Sequence, residues 1–99
     1  MIPVATIEHI ARFDGQEVTL SGWLYNLRKS GKLLFPIFRD GTGLIQGVVA
    51  KNAVSEEVFA AARDLTQESS VIVTGKVRAD ARAPGGYELD VSHLQVVQL

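Results

Sequence analysis

The chain has 99 residues, of which 46% are hydrophobic and 21% charged, and it contains no cysteine. That length suits one domain and is short for two, while the missing cysteines exclude disulfide frameworks and thiolate zinc sites. Ten Lys and Arg against eleven Asp and Glu give a formal charge of −1, a bulk figure that argues against a nucleic-acid partner.

The opening residues predict a short helix. Ile7, Ile10 and Ala11 recur at helical spacing, Thr6 stands at the cap position, and Asp14-Gly15 ends the segment. Period-two alternation then predicts a strand over 17–28, with Val18, Leu20, Gly22 and Leu24 against Thr19, Ser21, Trp23 and Tyr25. Ser30-Gly31 turns the chain into a second strand over 32–40, and Gly41-Thr42-Gly43 into a third over 44–50. Ser55 caps a helix whose first turn carries Glu56 and Glu57 and whose buried stripe is Val58, Ala61, Ala62 and Leu65. A fourth strand covers 69–79. After the loop Ala83-Pro84-Gly85-Gly86 a fifth runs over 87–97, interrupted near Ser92-His93.

The order is β-β-β-α-β-β with a helical lead-in. It predicts an all-β fold with one helix, the five-stranded Greek-key barrel known as the OB-fold, as a single domain over 1–99. Such barrels bind through the face of strands 2 and 3 and its flanking loops.

In strand 2, Leu33, Phe35, Ile37 and Arg39 fall on one side and Leu34, Pro36, Phe38 and Asp40 on the other. Both sets are apolar enough that alternation alone does not choose the inward one. Pro36 has no N–H for the ladder, which predicts an edge or a bulge there. Charge is uneven: residues 20–46 hold Arg28, Lys29, Lys32 and Arg39 against Asp40, and residues 76–82 hold Lys76, Arg78 and Arg82 against Asp80. If both segments border one face, that face is a basic groove with a ring for stacking and amide or carboxylate groups for base edges, as single-stranded nucleic acid requires.

Catalytic patterns are missing. His9 and His93 have no second ligand at metal spacing, so no metal or cofactor site is expected. Gly41-Thr42-Gly43 lacks the helix and Lys-Ser/Thr pair of a phosphate loop, and no nucleophile set is recognisable. Met1-Ile2-Pro3-Val4 has no signal-peptide character. The longest apolar runs, such as 33–38, fall far short of the ~20 residues of a membrane helix. A cytoplasmic protein without membrane contact is therefore expected. The ending Val96-Val97-Gln98-Leu99, inside a strand pattern, suggests a piece of a longer protein.

Gly22-Trp23, Arg28, Phe35, Arg39-Asp40 and Gly43-Leu44-Ile45-Gln46, in that order, resemble the N-terminal anticodon-binding domain of class IIb aminoacyl-tRNA synthetases, over essentially the whole chain. Gly22-Trp23-Leu24-Tyr25, Arg39-Asp40-Gly41-Thr42-Gly43 and the stretch from Arg82 to Leu89 are most similar to the bacterial asparaginyl branch. An aspartyl enzyme more usually carries a run of arginines at Asn26-Leu27-Arg28-Lys29 and an acidic residue at Ile37. The resemblance implies that Phe35 stacks on the central anticodon base, a uridine, with Phe38 in the core; Trp23, by contrast, is expected to pack against the barrel wall. It implies that Arg28 and Gln46 hydrogen-bond that base or its neighbours, and that Glu88 reads an adjacent one, the first. Lys29, Lys32 and Arg82 are phosphate contacts by charge. The implied partner is a tRNA, tRNA-Asn. ATP and Mg²⁺ would serve a catalytic domain that this chain lacks, in a parent enzyme that is a homodimer, while the isolated domain is a monomer. The alternatives are the matching domain of an aspartyl-tRNA synthetase, a sequence-tolerant single-strand binder, and a protein-interaction module.

Overall fold

The computed structural model describes residues 1–98; Leu99, the last residue of the expected domain, lies outside the described residues. Its elements are a 3₁₀ segment Ile7–Phe13, then β1 (Glu17–Ser30), β2 (Leu33–Arg39), β3 (Leu44–Ala50), helix α1 (Glu56–Arg63), β4 (Ser70–Ala79) and β5 (Tyr87–Gln98). The strands close into a barrel in the order β1-β2-β3-β5-β4. β1 makes closure possible because it is long enough to pair twice, Glu17 to Trp23 with β4 and Trp23 to Ser30 with β2. β3 and β5 run parallel and every other pair antiparallel. The Greek-key barrel expected from the element order is present.

The inward set of β2 is Leu34, Pro36 and Phe38, all buried, while Phe35, Ile37 and Arg39 are half-buried on the outside. With Leu20, Leu24, Ile45 and Leu89 they fill the barrel. α1 packs on β5, β2 and β3 and buries Val58, Phe59 and Ala62. Ser55 caps it as expected, its hydroxyl accepting from the Val58 N–H at 3.1 Å. Phe59 takes the place expected for Ala61, which is only half-buried, and Leu65 is buried just past the helix end.

Three bulges interrupt the ladder, at Tyr25 in β1 and at Ser92 and Val97 in β5, and the first sets which side chains of β1 face out. The β1–β2 register passes from Leu24↔Phe38 to Asn26↔Ile37, leaving Tyr25 as the extra residue. Before it, even-numbered residues of β1 point inward; after it Leu27 does, and Asn26 and Arg28 turn outward beside Ile37 and Phe35. The second bulge, at Ser92 in β5, is the expected interruption. Pro36 departs from expectation. β2 has neighbours on both sides, and its β3 register is unshifted from Leu34↔Val49 to Ile37↔Gln46. The missing N–H is accommodated by a lapse in pairing at 35–36, while the ring packs in the core.

The lead-in also differs. It is 3₁₀ and broken at His9, Ala11 is exposed, and Thr6 makes no side-chain cap. Asp40 supplies the missing acceptor from the end of β2: one carboxylate oxygen accepts from the Ile7 N–H at 2.8 Å, the other from the Thr42 N–H at 2.9 Å and hydroxyl at 2.7 Å. Burial pushes the Asp40 pKa up, but hydrogen bonds from the Thr42 hydroxyl and the Ile7, Thr42 and Gly43 N–H groups outweigh it and hold the carboxyl below its ordinary value. Asp40→Ala should cost about 1–3 kcal/mol, the penalty of unpaired donors. A depressed folded pKa stabilises above the unfolded value of 3.8 and is lost as pH falls through the folded one. Urea unfolding should therefore show a constant gap between the two proteins near neutral pH that narrows below about pH 4. No helix among the described residues is long and apolar enough to cross a membrane.

Candidate nucleic-acid interface

The outer face carries two neighbouring groups of side chains. In the first, Arg28 of β1 and Phe35 of β2 are cross-strand partners, and the guanidinium carbon of Arg28 lies 4.3 Å from the ring centroid. In the second, Ile37, Gln46, Glu88 and Arg78 stand in register across β2, β3, β5 and β4. Gln46 Nε2 donates to Glu88 Oε2 at 2.6 Å, and the Arg78 guanidinium donates to Glu88 Oε1 at 2.7 Å. Arg78 also grips Asp90, with nitrogens at 3.0 and 3.2 Å from its two oxygens. These hydrogen bonds, that to Asp90 foremost, hold the Arg78 guanidinium above its ordinary pKa.

Glu88 is only 7% exposed. A carboxylate that buried is tolerated because a cation and an amide donor each occupy one of its oxygens. The bulge at Tyr25 brings Arg28 to Phe35, and the parallel β3–β5 pairing brings Gln46 to Glu88. Lys29 is the next residue of β1, and Lys32 lies across a turn made by Gly31 at φ +59°. Arg82 is not brought to either group. It sits in the loop after β4 with its side chain 94% exposed, its Nε 3.8 Å from Asp80.

The charge of the face differs from a uniformly basic groove. Across residues 76–90, Lys76, Arg78 and Arg82 meet Asp80, Glu88 and Asp90, and Arg78 is paired to all three carboxylates. The β4–β5 side is thus close to neutral. Among the described residues no ion pair engages Arg28, Lys29 or Lys32, so the cationic field lies at the β1–β2 turn. Trp23 lies on the outer surface of the barrel, 41% exposed, with the Arg39 guanidinium 5.6 Å from its ring. From the sequence alone Arg78 counts only as a charge. Its signal was present nonetheless, since Lys76 and Arg78 alternate along one strand as Glu88 and Asp90 do along the next.

A five-stranded barrel with stacking and hydrogen-bonding groups on the outer face of β2 and β3 is the architecture of the OB-fold class. Residues 18–97 match the model of the OB-fold nucleic acid binding domain, and the chain belongs to that family. It is 70% identical over 96 residues to the asparagine–tRNA ligase of Koribacter versatilis and 57% identical over 97 residues to that of Chloroflexus aurantiacus. These alignments cover 97% and 98% of this chain, which spans 22% of the length of either relative. Among solved structures, the asparaginyl-tRNA synthetase of Pyrococcus horikoshii complexed with asparaginyl-adenylate superposes with a TM-score of 0.90 at 48% identity, over 99% of this chain and 23% of that one. An OBody bound to hen egg-white lysozyme, at 20% identity and a TM-score of 0.83, covers 100% of this chain and 97% of its own and shares the fold.

Proposed function

We propose that this chain is the anticodon-recognition domain of an asparaginyl-tRNA synthetase and that the outer face of β2, β3 and β5 reads the anticodon loop of tRNA-Asn. One observation carries this reading: Arg28–Phe35 and Gln46–Glu88, four residues from four strands, lie as two neighbouring pairs on that face. Phe35 stacks on the central base, a uridine. Arg28 covers its ring in the free protein, so the base displaces it. That exchange is favourable, because an exposed cation–π contact contributes ~0.5–1 kcal/mol and a stacked base ~1–3 kcal/mol. The freed guanidinium then donates to the base.

Gln46 hydrogen-bonds the same base or a neighbour. Glu88 reads the first anticodon base, using the acceptor positions left over from its two internal partners. Lys29 and Lys32 meet phosphates at the β1–β2 turn, and Arg82 reaches the backbone from its loop. Aminoacylation, which draws on ATP and Mg²⁺, is assigned to the remainder of a longer cytoplasmic parent that acts as a homodimer, and the domain alone is a monomer. The test is a titration of this chain with an anticodon stem-loop and with the same RNA carrying cytidine at the centre. The swap should cost about 1–3 kcal/mol, as one base contact does. Equal affinity for the two loops would refute the reading.

A further inference from the structure

We propose that Arg78 is a positioning residue for base reading: by gripping Glu88 it fixes which end of the Gln46 amide faces the RNA. The inference rests on the anticodon-recognition reading above. An ionised carboxylate only accepts hydrogen bonds. The 2.6 Å contact between Glu88 and Gln46 therefore requires the amide to turn its NH₂ toward Glu88. Gln46 Oε1 has no hydrogen-bond partner among the described residues and is left to accept from a ligand. The N3–H of a uracil is such a donor. Cytosine has a bare acceptor at the same position, so a Gln46 locked this way round opposes it with a second acceptor.

The lock depends on Glu88 staying in place, and Arg78 alone supplies its cation among the described residues. The guanidinium is itself anchored, because the bidentate bond to Asp90 and the Asp80 carboxylate at 3.7 Å also hold the fork. Without Arg78, Glu88 is a buried carboxylate with no counter-charge that gains by swinging out to water, and once it leaves Gln46 the amide is no longer held in one orientation. Arg28 and Phe35 share no hydrogen bond or ion pair with this network among the described residues, so their own contact does not depend on Arg78.

The chain is titrated with anticodon stem-loops carrying uridine or cytidine at the centre, as wild type, Arg78→Met, Arg78→Lys, Glu88→Gln and the Arg78→Met/Glu88→Gln double variant. Preference for uridine should fall by roughly tenfold in Arg78→Met, since the discrimination of one base contact is at stake. It should fall by a smaller factor in Arg78→Lys, which keeps the charge and loses the fork. Glu88→Gln should lose the preference equally, because a neutral amide pairs with Gln46 either way round, and the double variant should be no worse. The slope of log affinity against log salt should stay as in wild type, whereas losing a direct single-strand phosphate contact lowers it by about 0.7.

Retained preference in Arg78→Met overturns the proposal. So does a lowered salt slope with preference intact, or a further loss in the double variant. If Arg78→Met does not fold by thermal melting, Arg78→Lys and Glu88→Gln decide by the same criteria. A wild-type chain that binds both loops equally, or neither, refutes the anticodon reading itself before any variant is made.

Discussion

Replacing Phe35 by alanine should weaken binding to the anticodon stem-loop by about 1–3 kcal/mol, the contribution of one stacked base, and lower the unfolding midpoint by only a few degrees. Replacing Phe38 should do the reverse. The two rings lie three residues apart on one strand and so on opposite faces. Phe38 is 1% exposed in the barrel, whereas Phe35 is half-buried outside, beside Arg28. Truncating a fully buried phenylalanine removes its transfer free energy and leaves a cavity, together about 3–5 kcal/mol. In a domain of this size each kcal/mol shifts the melting midpoint by roughly 4–8 °C. Phe35→Ala forfeits only partial burial and one exposed cation–π contact, about 0.5–1 kcal/mol. The paired measurement is a thermal melt and an RNA titration on each variant. If Phe35→Ala melts as early as Phe38→Ala while binding RNA normally, Phe35 is core and the face has been assigned to the wrong side of β2.

That assignment shows what the sequence could and could not carry. Alternation separated Phe35 from Phe38, and the element order implied a barrel. Yet both sides of β2 are apolar, and only the resemblance to class IIb synthetases placed Phe38 in the core. Arg28 is the sharper case. Continuing the alternation of Val18, Leu20 and Leu24 would have sent Arg28 into the barrel, and the bulge at Tyr25 reverses it. Nothing in Leu24-Tyr25-Asn26 marks a bulge locally; it arises because β1 pairs with β4 over its first half and with β2 over its second. The capping of the lead-in by Asp40 was hidden for a related reason, since the acceptor lies 33 residues downstream of the Ile7 N–H that it serves.

Neither the bulk charge nor a segment sum describes the face. The bulk value of −1 hid the cations at the β1–β2 turn. Counting residues 76–82 as a positive segment overlooked that the next strand supplies their counter-ions. Both sums run along the chain, whereas charge acts across the sheet, from one strand to the next.

Gly22→Ala should be the most damaging substitution of similar size in β1. A Cβ at this position would collide with the backbone carbonyl oxygen of Arg39, with the Arg39 carbonyl carbon at 3.1 Å and the Asp40 Cα at 3.4 Å. Backbone cannot rotate away as a side chain can, so β1 and the end of β2 must separate. Overpacking of this kind costs typically 1–3 kcal/mol. Here the strand that moves also carries Asp40, whose hydrogen bond to the Ile7 N–H depends on its position. The loss should therefore sit at the upper end of that range, and hydrogen exchange should quicken at Ile7 and Thr42 ahead of the barrel as a whole. Arg28 and Phe35 lie on the far side of the Tyr25 bulge from Gly22, so RNA affinity of the folded fraction should change little. A variant that melts like wild type, with Ile7 still protected, would show that β1 and β2 are not in close contact at this point. Loss of RNA affinity without loss of stability would show that the Tyr25 bulge does not insulate the reading face from the rest of β1.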